Sequence, residues 1–228
     1  MMKALTLRIK RVQDRIQSAC VRAGRDPLEV TLLAVTKTVS VEGVQEAIAE
    51  GLIRFGENYV QEAQIKIEAL HQGIWHFIGH LQKNKAKQAV RIFSMIETVD
   101  STALARELNR QALALGKVTE VLIQINEAGE QSKSGLQPAE VPPLLEESPG
   151  WPGLRIRGLM TIPPYDPDPE GSRTWYRSLY KLREKWQKEF TSLDLAHLSM
   201  GMSHDFETAI EEGATIIRVG TAIFGQRK

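Results

Sequence analysis

Two cations in this sequence stand where charge is costly. Lys37 follows the apolar, β-branched run Thr31-Leu-Leu-Ala-Val-Thr, and Arg218 lies inside Thr215-Ile-Ile-Arg-Val-Gly220. Such runs are typical of strands buried on both faces, where an ammonium or guanidinium is unfavourable unless it is paired or reaches the rim. In an apolar pocket, or beside another cation, a lysine loses its proton more readily, which leaves neutral amine able to attack a carbonyl carbon. The alternative is a rim lysine that extends to water or pairs with Glu57. An arginine cannot shed its charge and needs an acceptor. A carboxylate such as Glu97 or Glu57 would serve Arg218, and so would the ring nitrogen of a bound heteroaromatic compound.

Two turns near the C-terminus add an anion site. "HLSMGMSHDFE" (197–207) supplies hydroxyls at Ser199 and Ser203, and Gly201 allows close backbone approach just before a helix start. "IIRVGTAIFG" (216–225) supplies Gly220 and the hydroxyl and amide of Thr221 in the same way. Glycine and serine also populate ordinary loops, so either turn alone says little. Both turns together, opposite a strand-end lysine, point to a ligand with a carbonyl and a phosphate. Pyridoxal 5′-phosphate carries both.

These residues must be positioned by the elements around them. Eight strand-like segments, at 30–37, 53–58, 75–80, 94–99, 119–126, 155–162, 196–201 and 215–220, alternate with helix-like ones after an opening amphipathic helix. Uninterrupted strand–helix alternation implies parallel pairing through right-handed crossovers. Eight such units predict an α/β fold: one (β/α)8 barrel over residues 1–228, preceded by an extra N-terminal helix. An open doubly wound sheet is the alternative, but no Gly-x-Gly-x-x-Gly follows the first strand. Ser40, Asn58, Asp100 and Asp205 are expected N-caps. Trp175, Leu179, Leu182, Trp186 and Phe190 are expected to form a core-facing stripe. In such barrels function gathers at the C-terminal mouth, and the loops after strands seven and eight often bind phosphate.

Composition narrows the functional classes. With 29 basic and 28 acidic side chains, the formal charge of +1 gives no field to draw the whole chain onto nucleic acid or an anionic membrane. The charged N-terminus has neither a signal-peptide core nor an apolar run able to cross a bilayer, so a cytoplasmic protein is expected. A lone cysteine, Cys20, excludes an internal disulfide and a Cys-rich zinc site. It falls on the apolar face of the first helix and is expected to be buried.

"LLAVTKTVS", "RFGENYVQEAQ", "WHFIGHLQKNK", "GLMTIPP" and "LSMGMSHDFETAIEEGATIIRVGTAIFG" together resemble the pyridoxal phosphate homeostasis proteins, from about residue 6 to residue 225. The resemblance implies a small barrel similar to the N-terminal domain of alanine racemases, with pyridoxal 5′-phosphate as cofactor. It makes Lys37 the Schiff-base lysine and turns Arg218 toward the pyridine nitrogen. Ser199, Gly220 and Thr221 would hold the phosphate, and Asn58 and Met200 would line the ring site. The fold-related racemases and decarboxylases continue into a second domain after the barrel. This sequence stops just after the eighth strand, so a cofactor carrier without turnover is expected, exchanging its cargo with amino acids by transimination. The alternative is a slow racemase or lyase using His80 or His204 as a second base. A monomer is expected, because dimer contacts in those enzymes involve the second domain. A third reading is a regulatory binding protein; "LQKNKAKQAVR" (81–91) is expected to be a solvated basic face, and its alternative is an electropositive rim that attracts phosphorylated ligand or an acidic partner.

Overall fold

The structure is a computed structural model and describes residues 4–130 and 133–226. Eight parallel strands close into a barrel among the described residues: β1 Thr31–Val35, β2 Arg54–Glu57, β3 Ile74–Phe77, β4 Met95–Val99, β5 Thr119–Ile125, β6 Leu154–Thr161, β7 His197–Met202 and β8 Ile216–Val219. Each pairs with its sequence neighbour, and β1 pairs with β8 in the register Leu33–Arg218 and Ala34–Val219. The helices are α1 Ala4–Ala23, α2 Val41–Ala49, α3 Val60–Leu70, α4 Ala86–Ile92, α5 Thr102–Ala114, α6 Val141–Glu147, α7 Arg173–Glu189, α8 Phe206–Glu211 and the short α9 Thr221–Phe224. The expected alternation is therefore observed, with strand ends shifted by up to three residues.

Strand alternation sorts the side chains into two shells. Ala34, Phe55, Trp75, Phe77, Ile96, Val121, Ile123, Leu198, Ile217 and Val219 face the helices and join one large apolar layer. Leu33, Val35, Ile78, Met95, Leu122, Met160 and Ile216 form a separate apolar cluster. They alternate with the outer residues along β1, β5 and β8, which places them inside the barrel. Gly56 belongs to this inner layer, since a Cβ on it would press on Leu33 and Ile78.

The opening helix is additional to the eight repeats. α1 buries Leu5, Ile9, Val12, Ile16, Ala19 and Cys20, and packs against α8 and α9. Arg15 and Arg22 bind Glu207 and Glu211, while Arg25 donates to the carbonyls of Ile210 and Ala214, both at 2.8 Å. Burial pushes the Cys20 thiol up, in keeping with a packing role.

The helix starts follow the local capping signals in part. Ser40 caps α2 by accepting from the Gly43 amide. α3 is capped at Tyr59 without a side-chain bond, and α5 at Ser101, one residue past the expected Asp100. Asn58 is thereby released from a capping role. On α7 the buried stripe is Tyr176, Leu179 and Trp186, whereas Trp175 is only half-buried.

Candidate functional site at the barrel mouth

Lys37 lies in the turn two residues beyond β1 and is half-buried. It shares strand parity with Leu33 and Val35, the two inward residues of β1. Because Leu33 and Ala34 pair with Arg218 and Val219, the chain after β8 rises beside the chain after β1. The two strand ends meet at a cavity of about 420 Å³ lined by Val35, Thr38, Gly220, Thr221 and Arg8, among others. The lysine turn and the glycine turn, 183 positions apart in sequence, are thus neighbours at the mouth.

The candidate anion cradle lies between β7 and β8. The amides of Gly220 and Ala222 both donate to the Ser203 hydroxyl, each at 3.2 Å. Two backbone N–H groups converging on one oxygen are the elements of an anion cradle. Asp205 fixes the turn that carries Ser203: its carboxylate accepts the Met202 amide at 2.8 Å, the Tyr176 hydroxyl at 2.7 Å and the Ser172 hydroxyl at 3.0 Å. Gly201 holds φ +89° there, and a Cβ would approach Ala209 Cβ to 2.5 Å and Phe206 Cα to 2.9 Å. Only glycine fits that approach.

Below the mouth, a polar chain crosses the barrel interior. Arg218, almost fully buried, donates through Nη1 to Ser199 Oγ at 2.7 Å and through Nη2 to the Thr161 carbonyl at 2.8 Å. Ser199 donates to Glu97 Oε2 at 2.5 Å, and Glu97 Oε1 meets His76 Nδ1 at 2.7 Å. Burial drives the Glu97 carboxyl up, but His76, Arg218 and Ser199 together outweigh it and hold it below the usual range. Burial alone lowers Arg218, against the opposing pull of Glu97, Tyr176 and Asp205.

These contacts redistribute the expected roles. The Ser199 hydroxyl is fully buried and already bridges Arg218 to Glu97, so the hydroxyl at the glycine turn belongs to Ser203 instead. Met200, next along β7, points the opposite way and packs in the outer apolar layer with Leu198. Strand alternation turns its side chain away from the barrel interior and leaves only its backbone near the turn. Asn58 lies just past β2, with a buried Oδ1 that has no hydrogen-bond partner. A backbone approach so close that a Cβ on Gly79 would overlap the Asn58 main chain holds it there. Gly220 and Thr221 lie just past the end of β8, at the start of α9. Glu57 is engaged by Lys66 and Thr36 on the outer side of β2. Lys66, His76 and the Ser203 contacts escaped the sequence reading, although a lysine on the buried side of α3 was a signal.

The rim carries the two histidines. His80 Nδ1 lies 3.0 Å from Asp100 and 2.9 Å from Ser134, and His204 Nε2 lies 3.0 Å from the Pro167 carbonyl. No helix among the described residues is long and apolar enough to cross a membrane, and none of them group as metal ligands.

A closed parallel barrel with its polar residues gathered at the strand C-termini defines a class, and residues 8–228 match the family described as alanine racemase, N-terminal domain. An alanine racemase from Clostridium difficile shares the fold at TM-score 0.72 and 15% identity, with this chain covering 57% of it. Much nearer are a pyridoxal phosphate homeostasis protein of Aquifex aeolicus, 47% identical over 97% of both chains, and one of Escherichia coli K12, 42% identical over 96% of this chain and 95% of that one. The chain belongs to the pyridoxal phosphate homeostasis protein family. Among solved structures, PipY of Synechococcus elongatus without PLP matches at TM-score 0.85 and 38% identity, over 93% of this chain and 99% of that chain. PipY with PLP bound matches at TM-score 0.80 and 37% identity, over 94% of this chain and 100% of that one.

Proposed function

We propose that this protein binds pyridoxal 5′-phosphate at the barrel mouth, with Lys37 as its Schiff-base residue, and serves to hold and release the cofactor rather than to turn over a substrate. The observation that carries this reading is the meeting of two strand ends: the turn after β1 that carries Lys37 rises beside the Ser203–Gly220–Ala222 cradle after β7 and β8, and Thr38 of the first and Gly220 of the second line one cavity. When bound, the cofactor supplies an aldehyde that condenses reversibly with a primary amine, with loss of water. The buried, unpartnered Asn58 Oδ1 is a group that a polar ligand would satisfy, and the Gly220 and Ala222 amides, now shared by the Ser203 hydroxyl, point where a phosphate oxygen could join or replace it.

Each residue has a part in that reading. The Gly220 and Ala222 amides, with the hydroxyls of Ser203 and Thr221, bind phosphate oxygens. Asn58 orients the ring edge. Arg218, held by Ser199 and the Thr161 carbonyl, presents a donor to the ring nitrogen and disfavours its protonation, because a guanidinium has no acceptor. An unprotonated pyridine is a weak electron sink, so amine exchange is favoured over carbanion chemistry. Amino acids then release the cofactor from Lys37 by transimination, in keeping with a role in cofactor and amino- and keto-acid balance. The rim histidines are hydrogen-bonded to Asp100, Ser134 and the Pro167 carbonyl, contacts that hold them as rim groups in this reading. The chain acts as a cytoplasmic monomer in this account.

The test is to load the protein, add excess L-alanine, and follow cofactor release alongside D-alanine and pyruvate. Release without accumulation of either product supports the carrier. Product in many-fold excess over protein would establish the slow enzyme instead.

A further inference from the structure

α3 carries a buried ammonium that the proposed function does not use. Lys66 is 3% exposed, and its Nζ donates to Glu57 Oε1 at 2.7 Å, to Glu62 Oε1 at 2.7 Å and to the Thr36 carbonyl at 2.6 Å. Glu57 is fully buried and also accepts the Thr36 hydroxyl at 2.6 Å. Glu62 Oε1 accepts a second bond, from the Thr38 amide at 2.6 Å. Thr36 and Thr38 are the two neighbours of Lys37. One ionic cluster therefore grips the backbone immediately before and immediately after that lysine.

The grip has a conformational signature. Thr38 holds φ +64°, a region that β-branched residues avoid and that persists only where surrounding contacts impose it. The bond from its amide to Glu62 is such a contact. Docking of α3 does not explain the cluster, since Val60 and Ala63 already bury the apolar face of that helix. A buried ion pair is also a poor source of net stability compared with apolar packing. Its value lies in geometry, because its bonds go to the main chain on either side of one functional side chain.

We propose that Lys66 and Glu62 are positioning residues that fix the backbone around Lys37 and so aim its amine at the aldehyde-binding end of the pocket. This inference rests on the reading of Lys37 given above. It assigns to α3, a helix of the outer ring, control over the covalent step and none over recognition of ring or phosphate.

The experiment separates those two. Glu62→Ala, at a side chain only 27% exposed yet open to solvent, removes the acceptor shared by Thr38 and Lys66. Lys66→Met combined with Glu57→Gln removes both buried charges together, so that neither is stranded, and Lys66→Arg restores the cation. For each, two quantities are measured: the pyridoxal phosphate concentration giving half-maximal borohydride trapping on Lys37, and the affinity for pyridoxine 5′-phosphate, which has the ring and phosphate but no aldehyde. The expected result is an increase of about tenfold in the first for Glu62→Ala and the double variant, a change of less than about twofold in the second, and partial recovery in Lys66→Arg. Unchanged trapping, or equal weakening toward both ligands, overturns the positioning role. No adduct on Lys37 in the unaltered protein overturns the reading of Lys37 itself, and this inference with it.

Discussion

Arg218 and Glu97, opposite charges buried inside the barrel, are joined through one hydroxyl: Ser199 accepts from the guanidinium at 2.7 Å and donates to the carboxylate at 2.5 Å. Each charge is the other's counterion at one remove. Replacing Arg218 by methionine leaves Glu97 with His76 and Ser199 but without the guanidinium charge, and is expected to destabilise the fold by about 3 kcal/mol. Adding Glu97→Gln to Arg218→Met should recover a large part of that loss. Urea denaturation of both variants checks it, and equal destabilisation by the single and double changes would show that the charges are not coupled.

Ser203 makes a prediction that Ser199 does not. Ser203→Ala removes the hydroxyl at the Gly220 and Ala222 amides, so affinity for pyridoxal 5′-phosphate should fall by about tenfold, while trapping of pyridoxal, which lacks the phosphate, stays nearly constant. The measurement is a pair of trapping titrations with the two aldehydes. A parallel fall for both would place the phosphate elsewhere.

Gly201→Ala forces a side chain onto φ +89° and against Ala209 and Phe206. Strain and overlap together should cost about 2 kcal/mol. The turn that carries Ser203 moves with it, so phosphate affinity should drop in the same variant, as thermal melting and the titration above would record.

Acid sensitivity should come from the α7–α8 surface. Arg173 binds Glu170, Glu211 and Glu212, and Arg177 also binds Glu212. Burial raises the Glu211 carboxyl, but the Arg173 and Arg22 bonds prevail, while Arg177 and Arg173 lower Glu212. A carboxylate whose folded value lies below its ordinary 4.5 adds stability above pH 4.5 and loses it as pH falls through the lowered value. Melting temperature should therefore drop below pH 4.5, and Arg173→Ala should flatten that drop while lowering stability near neutral pH by about 1 kcal/mol. An unchanged acid profile in Arg173→Ala would remove this network as the source.

The barrel was legible because buried parallel strands appear as short apolar runs, and eight of them alternate with amphipathic helices. Lys37 and Arg218 stood out for the same reason, as charges in runs that otherwise exclude them. Finer assignments required the third dimension. Ser199 and Ser203 are alike in sequence, four residues apart at one turn, but strand direction sends the first into the barrel and the turn carries the second to the Gly220 amide. Met200 reads as a mouth residue until alternation turns it outward. Beyond its i−4 neighbour Glu62, Lys66 finds Glu57 and Thr36 on other elements, and His76 finds Glu97, pairings that no local pattern encodes.

The central claim is that Lys37 holds an aldehyde cofactor. Incubation of the purified protein with pyridoxal 5′-phosphate, borohydride reduction and peptide mapping tests it most directly, with Lys37→Ala alongside. The account predicts a pyridoxyl group on Lys37 at near-stoichiometric yield, a visible absorption band lost on reduction, and neither in Lys37→Ala. A protein that takes up no cofactor, or one labelled equally at surface lysines with and without Lys37, would contradict it.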